Sequence, residues 1–224
     1  MTPAGFAREV RREFEALRDP ELAVPMARYL LNQFPFLGLK TPVMTAALRP
    51  ILVAAKPAID EPFLAEAARK LWNWPEREYH HAAAYILYRC EKRLTHVSLP
   101  LLRELILEKS WWDSVDALAT RCVGPLVARY PKLRGEMDVW STDGNIWIRR
   151  TAIIHQLGCK DRTDVDRLFE YCAANAHDRE FFIRKAIGWA LRQYARTDAR
   201  AVIRFVEDHP ELSNLSKREA LKHC

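Results

Sequence analysis

The apolar positions of the chain recur with helical spacing from end to end, and no segment alternates convincingly as a strand would. Prolines sit near the predicted helix starts and turns, where a missing N–H costs least, at positions 42, 62, 75, 100, 131 and 210. Pro25 and Pro50, in contrast, fall inside predicted helices and weaken the prediction there. The pattern predicts helices at residues 3–18, 21–34, 42–55, 60–73, 76–93, 99–109, 111–129, 132–140, 145–158, 163–176, 179–196, 199–208 and 215–223.

Small residues repeat along these helices. Five alanines follow one another at spacings of 34, 35, 34 and 34 residues, and an apolar residue follows each one: Ala83, Ala117, Ala152, Ala186 and Ala220. Such a period is typical of stacked helical hairpins, and the tetratricopeptide consensus is absent. We therefore predict one all-α domain over residues 1–224, a curved right-handed solenoid of HEAT-like repeats with a concave basic groove. The alanines would let neighbouring helices approach closely.

Composition narrows the classes of function. Hydrophobic residues make up 49% of the 224, enough for a sizeable core. The net charge of +6 and pI of about 9.1 favour polyanionic partners, although only weakly. Five cysteines without a CxxC pair indicate reduced thiols rather than a disulfide framework or a zinc site. Without a signal sequence or an apolar run of roughly 20 residues, we expect a cytoplasmic, nucleoid-associated protein with no membrane partner.

The same repeat predicts a row of positive charge. If the second helix of each pair lines the concave wall, the row contains Arg150, Arg184, Lys185, Lys217 and Arg218. Arg192 and Arg196, four residues apart, extend it. Repeated cations suit nucleic acid phosphates, although a solvated helix face is the ordinary alternative. Three tryptophans lie among the cations and suit base or sugar contacts unless they belong to the core: Trp112, Trp147 and Trp189.

Two aspartates stand near the start of the predicted helix 111–129. Ser110 and Asp113 have the spacing of a capping box. Asp116, one turn further, has no basic residue three or four positions away in sequence. We therefore expect Asp116 to be a solitary acid on the basic surface. If it were instead buried and neutralised by a local arginine, the interpretation as an enzyme would fail and a scaffold would remain.

A carboxylate repels phosphate but stabilises a sugar that becomes cationic when an N-glycosidic bond breaks. Opposite charges about 4 Å apart gain roughly 4 kcal/mol at an effective dielectric near 20, or about three decades in rate. That contribution suffices only if the leaving base is already activated, so the chemistry favours a cationic lesion. Glycine-rich nucleotide loops, HExxH and GxSxG motifs are absent, and the adjacent His80 and His81 cannot share a helix face as metal ligands. We expect neither cofactor nor metal.

Several blocks in one order resemble the AlkD family of bacterial alkylpurine DNA glycosylases over nearly the whole chain. They are residues 25–29, 36–38 with 41–42, 71–78, 109–116, 143–147, 181–189 and 215–220. The resemblance implies a curved HEAT-like fold that holds duplex DNA and hydrolyses N3- and N7-alkylpurines without a base-flipping pocket. Departures are Gly144, which looks inserted, Lys40 in place of a common glutamine, and a short C-terminus.

The resemblance also implies roles for single residues. It places the catalytic carboxylate at Asp116, sugar-facing indoles at Trp112 and Trp189, and the active-site arginine at Arg150. Further DNA contacts are implied for Tyr29, Thr41, Arg192 and Arg196. We expect Lys40 and the other residues of the basic row to bind DNA as well. We predict a monomeric, monofunctional glycosylase that acts on 3-methyladenine and 7-methylguanine. The alternatives are a non-catalytic scaffold for nucleic acid or an acidic protein, and an enzyme for bulkier adducts.

Overall fold

The structure is a computed structural model that describes residues 1–222 and residue 224. The described residues contain helices and turns and no strand, which confirms the predicted all-α class. They form two compact units, Met1–Leu101 and Leu102–Cys224. The prediction of a single domain over residues 1–224 stays a prediction.

The first unit consists of five α-helices and the first residues of a sixth. Helix α1 packs against α3 and α4, and α5 packs against both α3 and α4. Aromatic and aliphatic side chains such as Phe6, Phe14 and Leu64 are fully buried between them. The helices are α1 (Pro3–Ala16), α2 (Pro20–Tyr29), α3 (Thr41–Ala55), α4 (Glu61–Trp72) and α5 (Arg77–Arg89), and α6 (Leu99–Leu107) spans the boundary between the units.

Pro25 and Pro50 lie inside α2 and α3, so both helices form despite the two prolines. The predicted helix 111–129, in contrast, is interrupted. It consists of α7 (Trp112–Leu118), a π-helical turn (Ala119–Val123) and α8 (Gly124–Arg129). Pro125 offers no N–H to the preceding turn, and such a proline disturbs the regular hydrogen-bond ladder of a helix.

The second unit continues as helix pairs stacked in chain order. The elements after α8 are α9 (Arg134–Trp140), α10 (Ile146–Ile154), α11 (Val165–Ala174), α12 (Phe181–Ala195), α13 (Ala199–Asp208) and α14 (Asn214–Ala220). Helix α10 packs against α7 and α12, and α12 packs against α14. The second helices of successive pairs are therefore neighbours, as the alanine repeat predicts.

The repeat period is visible in the contacts themselves. Residues 34 positions apart bond across neighbouring helices, as the amide of Asn175 does to the carbonyl of Ser141 at 2.8 Å. Ala152, Ala186 and Ala220 are fully buried. Helices α12 and α14 also approach closely at a glycine, because a Cβ on Gly188 would lie 2.5 Å from the Cβ of Glu219.

Candidate active site and nucleic-acid surface

Asp116 lies in the second turn of α7, a helix that begins without a side-chain cap. Trp111 is the N-cap residue, in an extended conformation, and its side chain makes no cap hydrogen bond. The predicted capping box of Ser110 and Asp113 is wrong. The Ser110 hydroxyl instead donates to the carbonyl of Ile106 at 2.6 Å, where it satisfies the end of α6 rather than the start of α7.

Asp116 is held by Arg150 from the neighbouring helix α10. The guanidinium donates from Nε to Oδ1 at 2.7 Å and from Nη2 to Oδ2 at 2.8 Å, a bidentate pair. A third bond, from Nη1 to the carbonyl of Phe182 at 2.6 Å, fixes the arginine to α12. The expectation of a solitary acid is wrong, because a residue one repeat away supplies the cation. The condition that would leave only a scaffold is met in part: Asp116 is neutralised by an arginine, but that arginine lies on another helix and 17% of the Asp116 side chain stays exposed.

The pair is mostly withdrawn from solvent. The Asp116 side chain is 17% exposed and the Arg150 side chain 6%. Burial raises the pKa of Asp116, and the hydrogen bonds and charge of Arg150 oppose that increase. Asp113, a nearby acid, raises the pKa further. The carboxyl group of Asp116 therefore remains partly exposed to solvent, and its charged form depends on Arg150.

An aromatic cluster packs beside the pair. The ring of Phe182 lies 4.9 Å from that of Trp147 and 5.2 Å from that of Trp111, centroid to centroid, and 6.0 Å from the Arg150 guanidinium carbon. Trp147 is only 8% exposed, so its expected place among groove aromatics is wrong and it belongs to the core. The Trp111 indole N–H is buried without a hydrogen-bond partner among the described residues.

The two tryptophans that the resemblance assigns to the sugar lie on helices that both contact α10. Trp112 is the first residue of α7 and shares a face with Asp116 four positions later. Trp189 lies on α12, four residues after Lys185. Both indoles are partly exposed, unlike Trp147. Their roles stay predictions.

The basic residues of the second unit fall into two groups. Lys185 and Arg192 both bind Glu219 of α14, at 3.2 Å and 2.5 Å, and these partners lower the pKa of Glu219. Glu219 is thus a second acid among the predicted cations. The remaining members bind the main chain or are exposed: Arg184 donates to the Asp178 carbonyl at 2.9 Å and Lys217 to that of Pro210 at 2.9 Å, while Arg196 and Arg218 are exposed.

Three predicted DNA contacts belong to the first unit. Tyr29, at the end of α2, is 72% exposed. Lys40 is the N-cap residue of α3 and Thr41 its first residue, and both are exposed. All three are accessible to a ligand, and their contacts with DNA stay predictions.

Sequence reasoning missed the support of the loop before Lys40. The buried carboxylate of Glu78 accepts the backbone N–H groups of Leu37, Gly38 and Leu39 at 2.9, 2.8 and 3.0 Å. Gly38 has a φ of +96°, and a Cβ there would lie 1.9 Å from the carbonyl oxygen of Asp19. The sequence offered two weak signals of this contact. They are Gly38, between apolar residues of the loop, and Glu78, an acid in the first turn of a helix forty residues later.

Neither a metal-binding cluster nor a membrane-spanning helix occurs among the described residues. Within residues 1–222 and residue 224, no group of three or more histidine, cysteine, aspartate or glutamate side chains is arranged to hold a metal ion. No helix in that part of the chain combines the length and the apolar character needed to cross a membrane.

Comparison with known proteins identifies the family. The sequence profile of a family described as DNA alkylation repair enzyme matches residues 10–224. This chain belongs to that family. Membership supports a role in the repair of alkylation damage and implies that the protein binds DNA.

Solved structures agree with this assignment. A predicted DNA alkylation repair enzyme from Enterococcus faecalis is 30% identical, with a TM-score of 0.86 over 92% of this chain and 96% of that one. The smu.31 protein from Streptococcus mutans UA159 is 17% identical, with a TM-score of 0.62 over 76% of this chain and 88% of that one, a similarity of fold alone. No curated protein matches the chain.

Proposed function

We propose that this family member is a monofunctional DNA N-glycosylase that hydrolyses cationic N3- and N7-alkylated purines in duplex DNA. The observation that carries the proposal is the Asp116–Arg150 pair, a carboxylate held in one orientation by a bidentate arginine yet still partly exposed. A fixed carboxylate is suited to stabilise an oxocarbenium ion and to orient the attacking water.

Pairing with Arg150 changes the energetics expected for a solitary acid. A carboxylate about 4 Å from the sugar contributes roughly 4 kcal/mol at an effective dielectric near 20. A guanidinium behind it, about 8 Å from the sugar, opposes that gain by roughly 2 kcal/mol. The remaining 2 kcal/mol or so is worth between one and two decades in rate. The chemistry therefore depends even more strongly on a leaving base that is already positively charged.

The other residues have supporting roles in this proposal. Trp112 and Trp189 pack against the deoxyribose, where indole faces attract a developing cation. Arg150 orients the Asp116 carboxylate rather than contacting a phosphate, because its side chain is only 6% exposed and three of its N–H groups are already bonded. The basic residues of the second unit, with Tyr29, Lys40 and Thr41 of the first, bind the phosphate backbone farther from the lesion.

The decisive experiment compares base release from methylated duplex DNA by the wild type and by Asp116→Asn. We expect release of 7-methylguanine to fall about a thousandfold in the variant, because asparagine removes the roughly 4 kcal/mol of the carboxylate while the opposing guanidinium of Arg150 stays in place. Asp138→Asn is the matched control. It also removes a carboxylate bound by an arginine, Arg167 at 2.8 Å, but outside the site, so base release should be retained. Equal rates for Asp116→Asn and wild type would overturn the catalytic assignment.

A second function has one observation in its favour. Because Arg150 largely neutralises Asp116, the pair also resembles a structural bond between helices, as a non-catalytic scaffold would contain. A scaffold would bind duplex DNA or an acidic protein and would release no base with either protein. Binding without release by the wild type would therefore favour it. Release measured across adducts of increasing size would separate a methylpurine enzyme from one for bulky lesions.

A further inference from the structure

A cavity of about 580 Å³ opens in the first unit where α3 and α5 end. Its volume lies within the roughly 300–1,000 Å³ common for small-molecule sites. None of its lining residues belongs to the predicted site. Five of them are cationic: Arg49, Lys56, Arg89, Lys92 and Arg93.

The lining of the cavity is locally positive. Its five cationic side chains against the single acid Glu91 leave four positive charges, while the whole chain has a net charge of +6. Elsewhere in this unit, exposed cations such as Arg12 and Lys70 are paired with glutamates. Arg49, Lys56 and Lys92 form no ion pair with any residue that the structure describes. An unpaired cluster of this kind attracts anions.

The walls of the cavity are aromatic and apolar. Tyr85 and Tyr88 meet edge to face, with ring centroids 5.0 Å apart and planes at 71°, and both are partly exposed. Leu52, Val53 and the buried Ile59 add aliphatic surface. An aromatic wall beside several cations suits a ligand that has both a flat ring and phosphate groups.

We propose that this cavity binds a phosphorylated nucleoside, with the base against the tyrosine pair and the phosphates among the five cations. The ligand is either a free nucleotide or one nucleotide of a single strand, since both offer the same chemistry. The proposal is independent of the glycosylase activity, because no residue of the cavity belongs to the proposed active site.

One other explanation of the cluster makes a different prediction. Arg89 lies in the last turn of α5 and Lys56 directly follows α3, and cations near a helix C-terminus stabilise the helix dipole. If Lys56 and Arg89 served only to stabilise these helix ends, replacing them would lower the melting temperature and leave ligand binding unchanged.

The test measures binding of three probes to the full chain: ATP, a labelled twelve-residue oligothymidylate, and inorganic tripolyphosphate. The charge variant Lys56→Glu/Arg89→Glu should weaken binding of the nucleotide or the oligonucleotide at least tenfold. Arg200→Glu/Arg204→Glu, a matched reversal of two exposed cations on α13, should leave binding unchanged. Tyr85→Ala should weaken binding of ATP or the oligonucleotide about tenfold, as loss of a base stack does, and spare tripolyphosphate.

Each outcome decides something. If both Lys56→Glu/Arg89→Glu and Tyr85→Ala weaken ATP binding, the ligand is a free nucleotide. If the two variants weaken only oligonucleotide binding, the ligand is part of a single strand. Tripolyphosphate binding as tight as that of ATP, with no effect of Tyr85→Ala, reduces the cavity to a simple anion site and overturns the proposal. Absent binding of all probes, or a lower melting temperature with unchanged binding in Lys56→Glu/Arg89→Glu, overturns it as well. The neutral variant Lys56→Gln/Arg89→Gln replaces the reversal if that chain does not fold.

Discussion

Replacing Arg150 with methionine tests how strongly the fold depends on the pair with Asp116. Methionine keeps much of the length of arginine and removes all three hydrogen bonds that the guanidinium donates. The Asp116 carboxylate, 17% exposed, is then left without its cation, and the carbonyl of Phe182 loses a donor.

The expected loss is large because the pair is buried. Removing one partner of a buried ion pair costs about 3–5 kcal/mol of unfolding free energy. For a chain of this size that corresponds to a melting temperature lower by about 6–20 °C. The matched control is Arg167→Met, since Arg167 and Asp138 form a comparable contact with side chains 34% and 42% exposed. An exposed pair of that kind contributes less than about 1 kcal/mol.

The loss should also depend on pH. Burial holds the pKa of Asp116 above its usual value, and the two effects of Arg150 that lower the pKa disappear in the variant. A carboxyl whose folded pKa exceeds its unfolded pKa stabilises the fold when protonated, and this contribution is lost as pH rises through the folded pKa. The deficit of Arg150→Met should therefore be greatest at neutral pH and shrink as the solution becomes acidic.

Urea unfolding followed by circular dichroism at pH 7.5 and pH 5 measures both quantities. The double variant Arg150→Met/Asp116→Asn should recover part of the loss, because the unpaired charge is gone, with a coupling energy above about 1 kcal/mol. A loss below about 1 kcal/mol that is the same at both pH values and shows no coupling would refute the account of a buried, mutually dependent pair.

Three further predictions follow from single features of the second unit. Burial lowers the pKa of His155 to about 4, so stability should fall by about 3 kcal/mol as pH drops from 6.5 toward 4, and urea unfolding of His155→Gln should lack that component. Gly188→Ala should destabilise by about 1–3 kcal/mol because its Cβ would meet that of Glu219, which calorimetry would detect unless α14 shifts freely. Arg196→Ala/Arg218→Ala should reduce the slope of log affinity for duplex DNA against log salt by about 1.8, and an unchanged slope would place both outside the interface.

The fold was largely predictable because the helical spacing of apolar residues is strong in this chain. The prediction 199–208 matches α13 at both ends, and 42–55 differs from α3 by one residue. Helix ends were less predictable where no glycine marks them. The prediction 21–34 runs past the end of α2 at Tyr29, because Leu31 and Asn32 adopt positive φ values. Asparagine tolerates such values, but leucine rarely adopts them, so the sequence did not indicate a helix end there.

The sequence indicates candidate site residues, whose roles stay predictions, but it did not indicate the partners that these residues bind in the structure. Sequence neighbours of Asp116 on its own helix gave no cation, yet the pair forms with a residue 34 positions away. The repeat period could have predicted this partner, because residues one period apart lie side by side on adjacent helices. The orientation of Ser110 toward the preceding helix, in contrast, depends on local backbone geometry that the capping-box pattern does not specify.

The contact of Glu78 with the loop before α3 has a consequence for how that loop assembles. Three backbone amides of the loop donate to the two oxygens of the Glu78 carboxylate, and Glu78 belongs to a helix about forty residues later in the chain. The loop cannot acquire its final shape until α5 has docked, so its formation is a late, non-local event. Because one side chain accepts from all three amides, we expect them to exchange with solvent together, as one cooperative unit, in hydrogen-exchange measurements.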